Sequence, residues 1–379
     1  MKPRIKYYAP FSVNSGYGRA AHDYLLALHR EGVELQIVPL YDADLANLPK
    51  RYSELIPLLE KQIDPTHVVV HTIPAYAHEF VTTDLEPPKG VKKVAITTWE
   101  TDQMPLWITE RLDQHFDQTI FPSNCIQTGP APRNVVVPHC YQPAWWYTNP
   151  IRLKSRKTFY FYNIGLWIER KNPIGLLKAY LTEFKASDPV ELIIVTPNDP
   201  REDFENVCKA SGLQDLPKVR FITGWTPDEA LRQLHEEAHC YVTLTRAEGF
   251  GLGAFEAAFM GNDVIATNWG PLTDVVFRAR EHYSVHYSRT PVVSELPKLT
   301  HPVTVSGLEV PVVLPEEAQL QSELDGHQNW AEPDLANARE QMRRAFERGK
   351  IMPSSEARRE YEKHYSYPVI AKQFLEALP

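Results

Sequence analysis

Several short, uninterrupted apolar runs constrain the fold of this chain more than any other feature of its sequence. Those in the first half are His67–His71, Lys93–Thr97, Gln118–Phe121 and Asn134–Pro138. Such runs are typical of strands in a parallel sheet covered by helices on both sides, because a strand with one solvated face alternates apolar and polar residues. Gly18–Arg30, between the predicted strands Arg4–Ala9 and Glu34–Pro39, shows a helical apolar period. The pattern therefore predicts an α/β fold.

A second series of the same kind begins after residue 157. Its predicted strands alternate with helical patterns and are Thr158–Gly165, Val190–Thr196, Val219–Ile222, Cys240–Thr245 and Asp263–Thr267. The segment between the two series, Gln142–Lys157, is rich in proline, tryptophan and basic residues, which is typical of a connection between domains. The two series predict two Rossmann-like halves.

The length of the chain supports this division. At 379 residues it exceeds the size at which one hydrophobic core usually suffices. We predict a first Rossmann-like domain over residues 1–147, a second over residues 148–345, and a helical tail over residues 346–379 that packs back on the first domain. A cleft between two domains is a common place for a ligand.

Charge, hydropathy and cysteine spacing argue against several classes of protein. The formal net charge of -8 is the opposite of what bulk attraction to nucleic-acid phosphates requires. No apolar run reaches the roughly 18 to 20 residues of a membrane span, and Met1–Tyr8 is too polar and basic for a signal peptide. The four cysteines form no CxxC pair. We therefore expect a cytoplasmic protein with reduced thiols and no membrane span.

The segment Thr243–Gly270 carries the clearest chemical signal; it reads TLTRAEGFGLGAFEAAFMGNDVIATNWG. A predicted strand runs into a glycine-rich loop and then into a short helix. Gly249, Gly251 and Gly253 allow the backbone to come close to a ligand. The helix, predicted to begin near Ala254, offers unpaired N–H groups and the positive end of its dipole. This combination predicts a diphosphate site.

Two carboxylates frame the loop: Glu248 at its entrance and Glu256 in the first predicted turn of the helix, with seven residues between them. Carboxylates are poor phosphate partners but good acceptors for sugar hydroxyl groups. The pair therefore predicts a ligand with a sugar on each side of a phosphate, which is the layout of a nucleotide-sugar. Glycosidase chemistry with this pair is disfavoured because the loop between them would have no purpose.

This segment resembles the signature of the large GT-B glycosyltransferase family usually numbered four, in which a Glu, seven residues and a second Glu lie in an EGFG-type loop. The resemblance implies that Glu248 contacts the donor sugar and Glu256 the nucleotide ribose. The implied fold is GT-B, with two Rossmann-like domains whose parallel sheets face each other across a cleft. The loop backbone implied to face the diphosphate belongs to Phe250, Gly251, Leu252 and Gly253.

Three other segments resemble the family in order and spacing. Asn14–Arg19 looks like its amino-terminal glycine loop, Gly165–Asn172 like the phosphate-binding strand exit, and Gly224–Leu231 like the nucleobase region. The resemblance thus extends over most of the chain. The residues it implies in donor binding are Gly16, Tyr17, Gly18, Gly224 and Trp225.

The resemblance further implies that Lys171, together with Arg170, neutralises the diphosphate as it leaves. Bond cleavage builds negative charge on that group, and a fixed cation with a helix N-terminus stabilises the charge without reorganisation. No metal ion and no cofactor are then needed beyond the nucleotide-sugar co-substrate. The other reading of the pair is an ordinary surface Arg-Lys dipeptide before a helix.

The sequence also departs from the family pattern. Many members have a Gly-Arg at the phosphate strand exit, where this chain has Gly165 followed by Leu166. Many have a histidine after the strand that corresponds to Val94–Thr98, where this chain has Glu100. Glu100 is therefore a candidate to orient acceptor or sugar hydroxyls, or else a local hydrogen-bond anchor, and His71 is a second candidate for the cleft.

One further motif matches a different class of enzyme. His235–His239 reads HEEAH, the helix motif in which two histidines bind zinc and a glutamate acts as base. The match lies at the end of a predicted helix that runs directly into a strand, and no third ligand is indicated nearby. We therefore expect no zinc site and interpret the motif as a helix end stabilised by histidine.

Together these residues predict a retaining, metal-independent glycosyltransferase that moves a hexose from a UDP- or GDP-sugar to a hydroxyl acceptor. The acceptor is open: a glycan, a lipid, a small molecule or a modified DNA base. One alternative is an enzyme that glycosylates hydroxymethylated DNA bases, against which the acidic net charge argues. The other is a nucleotide-sugar-binding protein with little transfer activity, which Leu166 and the missing histidine make plausible.

Overall fold

The computed structural model describes residues 2–11, 15–40, 43, 45–77, 87–126, 133–141, 157–277, 282–292, 303–305, 308–310, 328–349 and 355–379. The chain divides into two compact units. The first unit is Met1–Trp145, Pro291–Asn329 and Glu362–Pro379, and the second unit is Trp146–Thr290 and Trp330–Tyr361. The chain therefore leaves the first unit and returns to it twice.

The strands are β1 (Arg4–Ala9), β2 (Glu34–Pro39), β3 (His67–His71), β4 (Lys92–Ile96), β5 (Gln118–Phe121), β6 (Asn134–Val136), β7 (Phe159–Ile164), β8 (Val190–Thr196), β9 (Lys218–Thr223), β10 (Cys240–Thr243), β11 (Asp263–Thr267), β12 (Tyr283–Val285), β13 (Tyr287–Pro291), β14 (Val303–Val305), β15 (Leu308–Val310) and β16 (Asn329–Pro333). The helices are α1 (Gly16–Arg30), α2 (Pro74–Ala77), α3 (Leu106–His115), α4 (Pro173–Glu183), α5 (Arg201–Ser211), α6 (Asp228–Glu237), α7 (Leu252–Phe259), α8 (Pro271–Val275), α9 (Leu335–Arg348), α10 (Ser355–Tyr365) and α11 (Tyr367–Glu376). Short 3₁₀ segments are Lys50–Leu58, Asn124–Ile126 and Glu169–Lys171.

A six-stranded sheet forms the centre of the first unit. Its order is β2-β1-β3-β4-β5-β6, and every neighbouring pair is parallel. The apolar runs that predicted it are buried on both faces, as Val69 and Val70 in β3 illustrate. Helix α11 completes the core, because Phe374 lies in the same cluster as Tyr7 of β1 and Leu25 of α1. The rings of Tyr7 and Phe374 are stacked with centroids 6.5 Å apart.

The second unit contains another six-stranded sheet, of order β12-β11-β10-β7-β8-β9, in which all neighbours are again parallel. From the central strand β7 the chain runs through β8 and β9 towards one edge and through β10, β11 and β12 towards the other. Ligands of such sheets bind outside the carboxyl ends of the strands where the order reverses. The loops after β7 and β10 therefore meet at the place where the sequence predicts the donor.

The two parallel sheets confirm the predicted α/β fold, and the predicted strands agree with the observed ones to within a few residues. The largest differences are of two residues: β6 ends at Val136 instead of Pro138, and β10 ends at Thr243 instead of Thr245. The chain turns there because the Thr245 hydroxyl donates to the carbonyl oxygens of Arg170 and Ala247, 3.2 and 2.8 Å away. Within the described residues, no helix has the length and apolar character that crossing a membrane requires.

Candidate functional site

The loops after β7 and β10 bring a predicted cation and a predicted carboxylate into contact. Lys171 Nζ donates to Glu248 Oε2 over 2.6 Å. The two side chains are 22% and 10% exposed, so the pair is largely shielded from solvent. Charge-assisted hydrogen bonds are stronger in such a shielded position than in water. Residues that are 77 apart in the sequence thus form one charged group at the carboxyl edge of the sheet.

Asn172 fixes the position of Lys171. It adopts a left-handed conformation (φ 51°), the one non-glycine residue among those described that does so, and asparagine is enriched there. Its Oδ1 accepts from the backbone N–H of Gly175 over 3.1 Å and caps α4, and its Nδ2 donates to the carbonyl of Leu244 over 3.0 Å. The sequence analysis missed this residue, although an Asn before a Pro at the first helical position is a capping signal.

Arg170 joins the same two loops. Its Nη1 donates to the carbonyl of Ala247 over 2.6 Å, and its own carbonyl accepts from the backbone N–H of Arg246 over 2.8 Å. The guanidinium therefore orders the segment that leads to Glu248. Its positive charge therefore lies next to that segment.

Arg246 is a structural contributor that the sequence analysis did not single out. Its guanidinium donates to both oxygens of Glu332 in β16, over 2.5 and 3.2 Å, and to the carbonyl of Glu169 over 2.6 Å. The backbone N–H of Ala331 donates to its carbonyl over 2.9 Å. Arg246 thus links three segments of the second unit just before Glu248.

The glycine-rich loop is shaped by the protein's own neighbours. Gly251 has a φ of 86° and precedes the first residue of α7, and a Cβ there would lie 2.5 Å from Leu272 Cδ2. A Cβ on Gly253 would lie 2.6 Å from the Tyr241 hydroxyl and 3.4 Å from the carbonyl oxygen of Ile164, the last residue of β7. Gly253 therefore allows the first turn of α7 to lie against the end of β7, and Gly251 allows the loop to lie against Leu272 of α8.

Two aromatic side chains in or next to the loop are buried: Phe250 in the loop itself and Tyr241 in β10. Phe250 is buried and packs edge-on against Phe255, with ring centroids 5.3 Å apart. The Tyr241 hydroxyl donates to the carbonyl of Ile164 over 3.0 Å. Burial, and secondarily the charge of Glu248, raises the pKa of Tyr241 well above its ordinary value, so this donor stays protonated.

The predicted position of Glu256 in its helix was wrong by two residues. Helix α7 begins at Leu252, two residues before the predicted start at Ala254, because Gly251 in its left-handed conformation ends the loop. Glu256 is therefore the fifth residue of the helix and is 6% exposed. Its Oε2 lies 3.7 Å from Nε2 of His235, which is fully buried.

The two histidines of the HEEAH motif have different surroundings. His235, in the last turn of α6, contacts the hydroxyl of Tyr162 through Nδ1 over 2.7 Å. His239 lies beyond the helix end, and its Nδ1 accepts from the backbone N–H of Tyr160 over 3.1 Å. Among the described residues, no group of three or more His, Cys, Asp or Glu side chains is arranged to hold a metal ion.

The predicted nucleobase residues lie at the carboxyl end of β9, two strands from β7. Gly224 has a φ of 83°, and the ring of Trp225 is 53% exposed. Leu166 and Ile168, in the loop after β7, are 47% and 40% exposed. Leu166, which replaces the cation common in the resembled family, is thus an apolar side chain open to solvent at the carboxyl edge of the sheet.

The candidates of the first unit lie at the carboxyl edge of its own sheet. Gly16, Tyr17 and Gly18 form the first turn of α1 and not a loop, because the Ser15 hydroxyl caps the helix by accepting from Gly18 N–H over 3.0 Å. The Tyr17 hydroxyl donates to the carbonyl of Thr98 over 3.3 Å. Asn14, the first residue of the resembled loop, lies outside the described residues.

His71 is in the interior of the first unit. It is 1% exposed, its Nδ1 lies 3.0 Å from the hydroxyl of Tyr7, and its ring centroid is 5.9 Å from that of Tyr17. Burial lowers the pKa of His71 well below its ordinary value, so the ring is neutral. Glu100 lies in the loop after β4 and is partly exposed.

Comparison with known proteins agrees with this architecture. Residues 158–289 match the family model described as glycosyl transferases group 1. No curated protein is matched by the sequence.

Three solved structures are similar over nearly the whole chain. HepE of Anabaena, solved with UDP and glucose, is 12% identical, covers 99% of this chain and 98% of its own, and gives a TM-score of 0.58. A glycosyltransferase of Rickettsia africae is 14% identical over 99% and 97%, with a TM-score of 0.59. The catalytic domain of starch synthase IV of Arabidopsis thaliana, bound to ADP and acarbose, is 12% identical over 100% and 99%, with a TM-score of 0.59.

At this level of identity the structural similarity shows the fold, which is that of GT-B glycosyltransferases. The predicted GT-B class is therefore confirmed. The matched model falls within the second unit, on the sheet that carries Lys171, Glu248 and Glu256. The similarity of residues 158–289 to glycosyl transferases group 1, together with the glycosyltransferases among the similar structures, supports a transferase.

Proposed function

We propose that the second unit binds a nucleotide-sugar at the carboxyl ends of β7 and β10, and that the protein transfers the hexose to a hydroxyl acceptor. The observation that carries the proposal is the 2.6 Å ion pair between Lys171 and Glu248, formed by the two loops that meet where the strand order reverses. In this proposal the diphosphate lies between that pair and the first turn of α7.

The proposed chemistry follows from where charge develops. Departure of the nucleoside diphosphate leaves negative charge on its phosphate oxygens, which the Lys171 ammonium and the backbone N–H groups at the start of α7 stabilise. Glu248 accepts hydrogen bonds from hydroxyl groups of the donor sugar and keeps Lys171 in place. Glu256 accepts from the ribose. These groups do not move during the reaction, which is the condition for electrostatic stabilisation to be effective.

The same charges support a reaction that needs no metal ion, because a protein cation and a helix N-terminus face the leaving group. We propose that the anomeric configuration is retained, with the acceptor attacking on the face from which the diphosphate departs. HepE was solved with UDP-glucose as well as with UDP, and the starch synthase with ADP. The donor panel therefore includes UDP-, ADP- and GDP-linked hexoses.

The test is a donor panel with mass detection of the released nucleotide, first by hydrolysis and then with candidate acceptors. Glu248→Ala and Lys171→Ala are expected to lose transfer and to keep the unfolding transition of the parent protein. Lys178→Ala is the matched control, since Lys178 lies on the exposed face of the neighbouring helix α4. Unchanged turnover in both site variants would contradict the site assignment.

Leu166 gives one specific reason to consider a binding protein with weak transfer activity. Its apolar side chain, 47% exposed, stands where the resembled family often has a second cation. In that case calorimetry would show donor binding without donor consumption. Leu166→Arg would then raise the rate of nucleotide release, whereas the enzyme proposal expects measurable release from the parent protein.

A further inference from the structure

The histidine of the HEEAH motif that lies against Glu256 has no part in the function proposed above. His235 is 1% exposed and sits between Glu256 and two other buried polar residues, Tyr162 and Asn262. Its Nδ1 is 2.7 Å from the Tyr162 hydroxyl, and its Nε2 is 3.7 Å from Glu256 Oε2. Buried polar groups in contact with one another are retained only when their hydrogen bonds are consistent.

Asn262 gives these hydrogen bonds a direction. Its Nδ2 lies 2.7 Å from the carbonyl oxygen of His235 and 2.7 Å from the Tyr162 hydroxyl. A carbonyl oxygen only accepts, so the amide nitrogen must face it, and the same nitrogen donates to the Tyr162 oxygen. The Tyr162 proton is then available for His235 Nδ1. Burial raises the pKa of Tyr162 well above its ordinary value, which keeps that proton in place.

The direction of these hydrogen bonds determines which group of the His235 ring faces Glu256. A neutral ring that accepts at Nδ1 carries its proton on Nε2, and a protonated ring carries one there as well. In both states an N–H therefore faces the carboxylate. The separation of 3.7 Å exceeds a normal hydrogen bond of about 3.0 Å, but in a buried environment the N–H dipole still attracts a carboxylate oxygen.

We propose that His235 is a positioning residue for Glu256: it draws Oε2 towards the interior and thereby presents the other carboxylate oxygen to the ribose hydroxyls of the donor. This inference rests on the proposed function, since it assumes that Glu256 binds the ribose. It adds a specificity of the donor site for the ribose of the nucleotide. The site discriminates a ribonucleoside diphosphate from one without ribose hydroxyls, and part of that discrimination depends on a side chain that never touches the ligand.

The test compares nucleotides with and without the hydroxyls. Dissociation constants are measured by calorimetry for UDP, ADP and GDP, each beside its 2′,3′-dideoxy form. His235→Asn keeps an acceptor near Tyr162 and removes the N–H that faces Glu256, whereas His235→Gln places an amide N–H near the original Nε2. We expect His235→Asn to weaken binding of the ribonucleotide about tenfold, to leave the dideoxy form nearly unchanged, and His235→Gln to restore most of the loss.

His239→Asn is the matched control, because it lies in the same motif but contacts Tyr160 and not Glu256. It should leave the ratio of the two dissociation constants as in the parent protein. If His235→Asn does not fold, Tyr162→Phe serves instead, since it removes the hydroxyl next to Nδ1 and keeps the ring; a selective loss smaller than tenfold is expected. An equal loss for both nucleotide forms, or no loss, in the variant that folds would overturn the proposal.

Glu256→Gln separates this inference from the function on which it rests. If Glu256→Gln abolishes the preference for ribose and the His235 and Tyr162 variants leave it intact, the positioning role is wrong and the donor site stands. If the parent protein shows no preference for ribose, or Glu256→Gln does not reduce it, the assignment of Glu256 fails and the role of His235 fails with it.

Discussion

The carboxyl edges of the two parallel sheets differ in the kind of group they present. In the second unit the edge carries charge: Lys171 and Glu248 are paired at 2.6 Å, and Arg170 and Arg246 bind the surrounding backbone. In the first unit the edge is aromatic and neutral around His71, whose pKa is lowered by burial among Tyr7, Tyr17 and Tyr24. The same sheet architecture thus supports an electrostatic site in one unit and a packed polar interior in the other.

This contrast predicts which substitutions change activity and which change stability. A charged site that stabilises a leaving diphosphate should respond to substitution mainly in turnover. A buried neutral cluster should respond mainly in folding and in its dependence on pH.

The largest expected effect is on turnover in the second unit. Lys171→Ala removes the cation next to the leaving diphosphate, and we expect kcat to fall about 100- to 1000-fold, as when a preorganised transition-state donor is removed. Lys171→Arg should retain part of the activity. Tyr17→Phe in the first unit removes the bond to the Thr98 carbonyl and should reduce kcat by less than about tenfold, since a neutral hydrogen bond contributes about 1 kcal/mol. Steady-state kinetics with the donor found in the panel measures all three; equal losses for Lys171→Ala and Tyr17→Phe would remove the contrast.

The next effect is a steric one. Gly253→Ala places a Cβ 2.6 Å from the Tyr241 hydroxyl, and we expect a loss of about 2 kcal/mol in the free energy of unfolding of the second unit. Adding Tyr241→Phe removes the clashing oxygen and should recover part of that loss. Gly165→Ala is the control, because its Cβ would have only Asn163 Oδ1 at 3.7 Å and should change stability little. Denaturant unfolding of the single and double variants decides whether the Tyr241 oxygen is the cause.

A third effect compares the helix caps that follow the first strand of each sheet. Asn172→Ala in the second unit removes the cap of α4 and the bond to Leu244, and leaves alanine in a left-handed conformation; we expect a loss of about 2 kcal/mol. Ser15→Ala in the first unit removes only the cap of α1 and should lose about 1 kcal/mol. Unfolding midpoints of the two variants, measured under the same conditions, test whether Asn172→Ala loses more stability than Ser15→Ala. A larger loss for Ser15→Ala would mean that the left-handed conformation of Asn172 contributes nothing.

The smallest effect concerns pH and the first unit. Burial lowers the pKa of His139 to about 3, so below pH 6.5 the unfolded chain binds a proton that the folded unit does not. Stability from this residue is therefore complete above pH 6.5 and is lost as the pH falls towards 3. At pH 5.5 the loss is about 1 kcal/mol. We expect His139→Asn to reduce the change in unfolding midpoint between pH 7.5 and 5.5; an unchanged difference would contradict the buried neutral state.

Structural features that depend on residues close together in the sequence could be predicted, and contacts between residues far apart in the sequence could not. The strands are local, since an apolar run such as His67–His71 shows its own burial, and they were predicted to within a few residues. Lys171 and Glu248 were each singled out by a resemblance, and the structure shows that they form an ion pair. The bonds from Asn172 to Leu244 and from Arg246 to Glu332 were missed because these partners are 72 and 86 residues away, whereas the cap that Asn172 forms on α4 is local.

The helix that carries Glu256 shows the same limit on a smaller scale. The glycines of the loop indicated a close approach, but not that the close neighbour of Gly253 is Tyr241, nor that Gly251 ends the loop. The start of α7 was therefore placed two residues too late. Nothing in the spacing of the HEEAH motif indicated that His235 faces Glu256, because that contact depends on how α6 and α7 pack.

The return of the chain to its first unit has a consequence for synthesis on the ribosome. Tyr367, Ile370 and Phe374 belong to the same hydrophobic cluster as β1, so this cluster is incomplete until these three residues have left the exit tunnel. Most of the second unit emerges earlier, and domains generally fold as units during synthesis. The sheet of the first unit is therefore synthesised before the second unit but completes its hydrophobic cluster after it.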